Sequence, residues 1–382
     1  MSEQIKVNTI PSLTWNWMKI NNDFTSLDFT LDEIQGAAEK VPAGIKITNE
    51  KFDFSKTNIG SGISNFANPK LDAEKFAPGK DKSAVDTNTE EVKARNHSEH
   101  QLYKLAEDTV KNPQQITIEG KVSEPLILNF KDGTNTASIQ NIIAKADSEA
   151  TIIFVYEGNS ASKNQIVFSR IFAQENSKLH IVKVQLLGNT DLQFDDTAVI
   201  CDENASVQFT QIELGGSHVD SGLHVSLNGY KSNFVSNVAY LCKENQILDM
   251  NHIVYHYGQK TECNMKVNGS LKDNAVKTYR GTIDFKNGCS GSKGNEMEET
   301  LLLNPKVVNK SLPVILCDEE DVEGEHGATI GRLSNDILFY MQTRGISQAE
   351  AERLMSLAKI QAVADLIPSD IVKEKINSFL GE

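Results

Sequence analysis

The chain has 382 residues, 39% of them apolar and 24% charged, and 38 Lys and Arg against 52 Asp and Glu give a formal charge of −14. That length calls for two or three domains, and a composition near the soluble average allows a packed core throughout. With no dense basic run to offset it, the acidic balance excludes a nucleic-acid surface, which draws on clustered Lys and Arg.

Met1 to Ile10 carries Glu3, Lys6 and Asn8 without an apolar run, so no secretory signal is expected there. No stretch approaches the ~18 consecutive apolar residues of a membrane-spanning helix. Cys201, Cys242, Cys263, Cys289 and Cys317 are scattered singly, with no CxxC pair. An odd, unpaired set suits a reducing compartment, and the expected location is the cytoplasm.

Residues 1–113 read as an N-terminal mixed helical and loop region. Lys51 to Asp86 is rich in Asn, Ser, Gly, Lys and Pro and reads as loops. Glu90 to Lys111 is expected to be a helix with Leu102, Leu105 and Val110 on its apolar face, ended by Pro113. From Gln115 short strand-like runs follow one another: Ile116–Ile118, Leu126–Phe130, Thr151–Tyr156, Gln165–Phe172, Leu179–Leu187, Ser206–Leu214, Phe234–Tyr240 and Ile253–Tyr257. They are rich in Val, Ile, Phe, Tyr and Thr and separated by Gly, Asn, Asp and Ser. No helical pattern interrupts them, which argues against an alternating α/β sheet.

A degenerate repeat underlies these runs. A small residue followed by alternating positions recurs at Ser148, Ser177, Ala205, Ser232 and Thr261, in steps of 29, 28, 27 and 29 residues. A near-constant step filled with strands favours a solenoid whose coils bury their inner faces against one another. A β-sandwich is the alternative that regularly spaced strands leave open. The reading is a mainly β chain with a parallel β-helix core over residues 114–315 and a helical domain over 316–382. In that last part Ser334 caps a short helix carrying Ile337, Leu338, Phe339 and Met341, which closes near Gly345. Ser347 to Glu350 forms a capping box for a helix expected to bury Ala351, Leu354, Met355, Ala358 and Ala362. A last helix from about Asp370 to Leu380 has Ile371, Val372, Ile376 and Phe379 on its apolar side. Such helices can cap the solenoid's end or offer a docking surface.

Standard catalytic motifs are missing. There is no Walker sequence, no H-E-x-x-H, no nucleophile elbow and no ferredoxin-type cysteine cluster. His252 and His256 share a face of a strand-like run, where a structural role outweighs metal binding. The acidic run Asp318–Asp321, with Glu323 and Glu325, leads into His326. A carboxylate beside an imidazole suits cation capture, and the Cys317 thiol nine residues away would extend that to iron if the turn brings it close.

Leu312-Pro313, Asp321-Val322, His326-Gly327-Ala328-Thr329-Ile330-Gly331, Leu338-Phe339-Tyr340 and Arg344-Gly345-Ile346 resemble the C-terminal signature of the SufB/SufD family. Upstream, His256, Thr261, Tyr279 to Ile283 and Leu301 to Leu303 are similar to that family's core block in the same order, and Thr14 to Lys19 to its N-terminal tryptophan motif. The resemblance implies a right-handed parallel β-helix and a non-catalytic subunit of iron–sulfur cluster assembly. Gly327, and the lack of an extended cysteine-containing N-terminus, place the pattern nearer the SufD branch than the SufB-like scaffold. The implied partners are SufB, through the β-helix, and the ATPase SufC, through a surface of Leu338, Phe339, Tyr340, Arg344, Gly345, Ile346 and Leu354. A homodimer is implied for the isolated chain. No cofactor is expected to be held tightly. A transient iron or iron–sulfur cluster is expected at the interface, with His326 and Glu325 on the family's interface positions and Cys317 as a further ligand in place of a thiol that some relatives carry at Gly324. A carbohydrate-binding β-helix is the competing function, disfavoured by the missing export signal.

Overall fold

The computed structural model describes residues 4–8, 10, 19–26, 30–49, 102–158 and 163–381. The tryptophan motif at Thr14–Lys19 lies outside them except for Lys19, as does the helix expected from Glu90 up to residue 101. Strands β1 (Gln4–Val7) and β2 (Asp23–Ser26) pair antiparallel. The short β3 (Asp32–Glu33) and β4 (Ile45–Thr48) follow, then a helix, α1, over residues 102–109.

From Gln114 the chain winds between two sheets. Odd strands β5 (Gln114–Ile118), β7 (Asn135–Ala144), β9 (Asn164–Ala173), β11 (Leu192–Cys201), β13 (His218–Leu227), β15 (Ile247–His256), β17 (Val276–Phe285) and β19 (Val308–Cys317) build one sheet. Even strands β6 (Leu126–Phe130), β8 (Glu149–Glu157), β10 (Lys178–Leu186), β12 (Ser206–Glu213), β14 (Asn233–Cys242), β16 (Glu262–Leu271), β18 (Ser292–Leu302) and β20 (Val322–Gly331) build the other. Each strand pairs in parallel with the strand two places on, so this is a solenoid and the sandwich alternative falls.

The repeat seen in the sequence is the corner of each coil. Asp147, Asn176, Asn204, Lys231 and Lys260 hold φ between 53° and 60°, a left-handed conformation that turns the chain from odd strand to even. Asn and Asp tolerate it because their short side chains bond locally. The next residues, Ser148, Ser177, Ala205, Ser232 and Thr261, are buried, and only small side chains stack there. Backbone amides tie the corners together: Asn176 donates to the carbonyl of Glu203 at 2.9 Å and Lys231 to that of Gln259 at 3.0 Å.

Along each strand alternate side chains enter the interior, where Ile152, Phe154, Val167, Ile181, Val199, Phe209, Val225 and Val254 are fully or almost fully buried. Each such side chain stabilises the fold by roughly 1.5–3 kcal/mol. The outer faces are covered as well. Val7 and the α1 residues Leu102 and Ala106 pack on Ile139, Ile166 and Phe168 of the odd sheet.

The C-terminal helices are α2 (Asn335–Thr343), α3 (Gln348–Ala364) and α4 (Asp370–Leu380), capped by Ser334, Ser347 and Ser369. They begin later than the expected residue 316, because β20 occupies Val322–Gly331. They lie on the flank of the solenoid, not across its end: Ile360, Val363, Val372 and Ile376 pack against Val182, Val184, Ile212 and Ala239 of the even sheet. The face that α3 buries also differs. Ala351 is buried as expected, but Leu354, Ala358 and Ala362 are exposed and Ser356, Ile360 and Val363 are buried instead. Similarly, Ile371 on α4 is 63% exposed. Position on a sheet flank, which sequence spacing does not encode, sets that phase.

Candidate functional site at the open end of the solenoid

The two ends of the solenoid are treated differently. At the start, β4 pairs antiparallel with β5 and Ala37 bridges Asn129 on β6, so both sheets are sealed. At the other end β19 and β20 complete the last coil, and among the described residues no strand pairs with their outer edges. None of their residues is buried, whereas β17 and β15, one and two coils back, are buried almost throughout. Pro313 lies within β19. Val308 donates its amide back to Ala275, so alternate residues including Pro313 face the outer edge, where a missing N–H removes no ladder bond. In the even sheet Lys293 donates back to Thr261, and Lys293 is in register with Glu323. By the same alternation the amides of Gly324, His326, Ala328 and Ile330 face outward, an unpaired edge ready to accept another strand.

Glu325 and His326 sit on this edge and are both exposed. His326 is in register with Glu296 and shares its inward parity; Glu325 shares the outward parity of Asn295. Glu296 is 1% exposed and has no hydrogen-bond partner on either carboxylate oxygen. Burial, reinforced by Glu298, pushes its carboxyl up to about 8. Gly281 makes room for it: a Cβ there would lie 2.8 Å from the Tyr279 hydroxyl and 2.9 Å from the Glu296 carboxyl carbon. Thus the exposed imidazole of the last coil stands over a buried carboxyl of the coil below.

Cys317 is exposed too, and its thiol contacts the carbonyl of Glu319 at 3.0 Å. The structure does not bring it beside His326. A Cβ on Gly324 would meet Ile315 and Phe285 across the interior, so Cys317 faces the level of Val322 and His326 that of Pro313. Four residues separate those levels, roughly 13 Å at strand rise. The acidic run is partly committed to structure. Glu319 accepts from the amide of Gly288 at 2.9 Å, Asp321 from the Ser290 hydroxyl at 2.6 Å, and Glu323 pairs with Lys293 at 2.9 Å. The other four cysteines are buried, and burial pushes the thiols of Cys242 and Cys263 up to about 12.

A second surface adjoins this end. Helix α2 buries no residue and presents Ile337, Phe339 and Tyr340 at 45%, 69% and 59% exposure. Arg344 lies over the Tyr340 ring at 5.4 Å. Leu338 and Ile346 are half-buried and Gly345 closes the turn with φ 84°. Exposed aromatic and apolar side chains of this kind are enriched at protein–protein interfaces.

Sequence reading missed the polar interior. Lys183 pairs with Asp195, and Lys277 with Glu298, all four side chains being at most 2% exposed. His256 donates or accepts at Thr261 (2.7 Å) and Cys263 (3.3 Å), while His252 stacks edge-on against Tyr279. Burial pushes both imidazoles down to about 3, so they stay neutral and structural. Also missed was a cluster under the N-terminal strands, where His218 Nε2 lies 2.9 Å from Asp23 and 3.6 Å from Asp220. Beside it Arg280 grips Asp249 and the carbonyl of Ile20.

No described helix is long and apolar enough to cross a membrane. A family model described as "SUF system FeS cluster assembly, SufBD core domain" matches residues 129–359. The iron–sulfur cluster assembly protein SufD of Bacillus subtilis (strain 168) is 30% identical over 127 residues, 33% of this chain and 29% of that protein. SufB of the same organism is 21% identical over 262 residues, 66% of this chain and 56% of SufB. SufD of Escherichia coli (strain K12) is 22% identical over 253 residues, 65% of this chain and 59% of that protein. The chain thus spans less than two thirds of the length of these curated relatives. The matched region takes in the solenoid from β6, its open last coil and most of the helical tail, and the chain belongs to the SufBD core family of the SUF iron–sulfur cluster assembly system.

Proposed function

We propose that the chain is a SufD-type, non-catalytic subunit that pairs with a SufB-type chain through its open last coil. The asymmetry of the solenoid carries this reading: one end is sealed by the chain itself, and at the other, among the described residues, no strand pairs with the β20 edge. Strand addition to such an edge supplies backbone hydrogen bonds, and alternate side chains supply specificity. His326 and Glu325 would then face the partner, and iron or a nascent cluster is the cargo that an exposed imidazole and carboxylate at that junction would help to hold. Cys317 would contribute only if the partner closed the distance along the strand. Isolated, the same edge would pair with a second copy of the chain. Helix α2, with Phe339, Tyr340 and Arg344, and the α3 residue Leu354 are the proposed seat of the SufC ATPase, which supplies nucleotide chemistry for which this chain has no Walker motif.

A SufB-type scaffold is the second reading, favoured by the longer match to the SufB relative. A cluster scaffold needs accessible thiolates, and four of the five thiols here are buried. The test is maturation of a reporter iron–sulfur enzyme in cells whose own copy carries His326→Ala, with co-purification of SufB and SufC followed in parallel. The proposal expects lost maturation with the complex retained. Normal maturation would remove His326 from the site.

A further inference from the structure

The cluster of Asp23, His218 and Asp220 lies far from the open end, on the outer face of the odd sheet. Asp23 belongs to β2 and the other two to β13, so the group exists only where the N-terminal strands meet the solenoid. One oxygen or nitrogen from each residue lies within 4.8 Å of the other two.

As a hydrogen-bonded cluster it is incomplete. His218 Nε2 faces two carboxylate oxygens, at 2.9 and 3.6 Å, and a ring nitrogen carries one proton at most. Asp220 is 2% exposed, and its second oxygen, Oδ1, has no hydrogen-bond partner. A buried carboxylate oxygen without a partner is costly. Among the described residues the neighbouring guanidinium is engaged elsewhere. Arg280 is taken by Asp249, which also accepts from Asn8 at 2.7 Å.

We infer that Asp23, His218 and Asp220 form a binding site for a divalent transition-metal ion, which clamps the N-terminal strand β2 onto β13. Two carboxylate oxygens and one imidazole nitrogen are a donor set that suits zinc, manganese or ferrous iron. Ligands about 2.0–2.2 Å from a tetrahedral zinc stand about 3.3–3.5 Å apart, and the two distances at Nε2 bracket that edge. The ion satisfies Asp220 Oδ1 or draws its carboxylate into one shared bond. His218 and Asp23 are 24% and 28% exposed, which leaves an entry path and room for water in the remaining positions. The Asp249–Arg280 pair next to Asp220 supplies the outer partners that orient such ligands.

The test uses the full chain, stripped with a chelator and titrated with zinc alone. His326→Ala and Cys317→Ala are introduced together so that the open end contributes nothing. One equivalent is expected to bind. Asp220→Asn, and separately Asp23→Asn on the other element, are each expected to weaken binding at least tenfold. Zinc is also expected to slow amide exchange in residues 4–8 and 23–26 in the parent, but in neither variant. The inference is overturned if no stoichiometric ion binds, or if both variants bind as the parent does. Neither outcome bears on the pairing role of β20, so the two proposals fail separately.

Discussion

Replacing Lys183 by Met tests the interior pairing directly. The Lys183 ammonium is 2% exposed, pairs with Asp195, bonds the Ser169 hydroxyl at 3.1 Å and lies over the Phe154 ring at 5.3 Å. Two carboxyls share this region. Burial, then Asp195, pushes Glu213 up to about 8, so it stays protonated at neutral pH. Burial also raises Asp195, and Lys183 is the chief group opposing that rise. Methionine keeps most of the volume but removes the charge, and breaking one side of a buried pair costs roughly 3–5 kcal/mol. The cost depends on pH in a defined direction. Without Lys183 the folded-state pKa of Asp195 moves further above its unfolded value of about 4. A group raised on folding gives stability that is present below the unfolded pKa and lost as pH rises through the folded one. Because Asp195 is raised in the parent as well, the deficit grows only between the parent's folded pKa and the variant's higher one, by at most about 1.4 kcal/mol per pH unit in that window. Urea titrations followed by far-ultraviolet circular dichroism at pH 5 and pH 7 measure it, with the larger deficit expected at pH 7. Adding Asp195→Leu should recover much of the loss, because an apolar replacement of both partners leaves no orphan charge. A deficit below about 1 kcal/mol, or one equal at both pH values, would refute the reasoning.

Other consequences follow from packing. Gly269→Ala places a Cβ 2.4 Å from the Tyr240 ring, and a loss of roughly 1–3 kcal/mol is expected in the same titration. At the corner of the coil, Lys231→Asn should be nearly neutral, whereas Lys231→Val should cost roughly 1–2 kcal/mol because a β-branched residue resists φ of 57°. Ile376→Ala, at 1% exposure, should loosen α4 by roughly 2–5 kcal/mol, read as faster amide exchange over residues 370–380 with the solenoid amides unchanged.

The sequence exposed those strands that are densest in apolar residues. Leu126–Phe130, Thr151–Tyr156 and Leu179–Leu187 are dense in Leu, Ile, Val and Phe and fall within or against β6, β8 and β10. It concealed β11, β13 and β18, whose inward positions include Asp195, Ser221, Glu296 and Glu298, because alternation assumes an oily interior. Strand β20 was hidden for a related reason: Gly324 and Gly327 lower its strand propensity, and its acids suggest a loop. The coil period was legible because each corner needs a left-handed residue followed by a small one. At the functional end, the exposed edge could be placed only once register was known. Register also separates Cys317 from His326, which nine residues of sequence left open. The Asp23 cluster joins residues 195 positions apart and leaves no local pattern.

The most direct measurement concerns the β20 edge. Ala328→Pro removes one outward amide that pairs with no strand among the described residues, so the thermal midpoint should stay at the parent value. Tagged parent chain should capture SufB from cells and the variant should not, while both capture SufC. Capture of SufB by the folded variant at the parent level would contradict pairing through this edge.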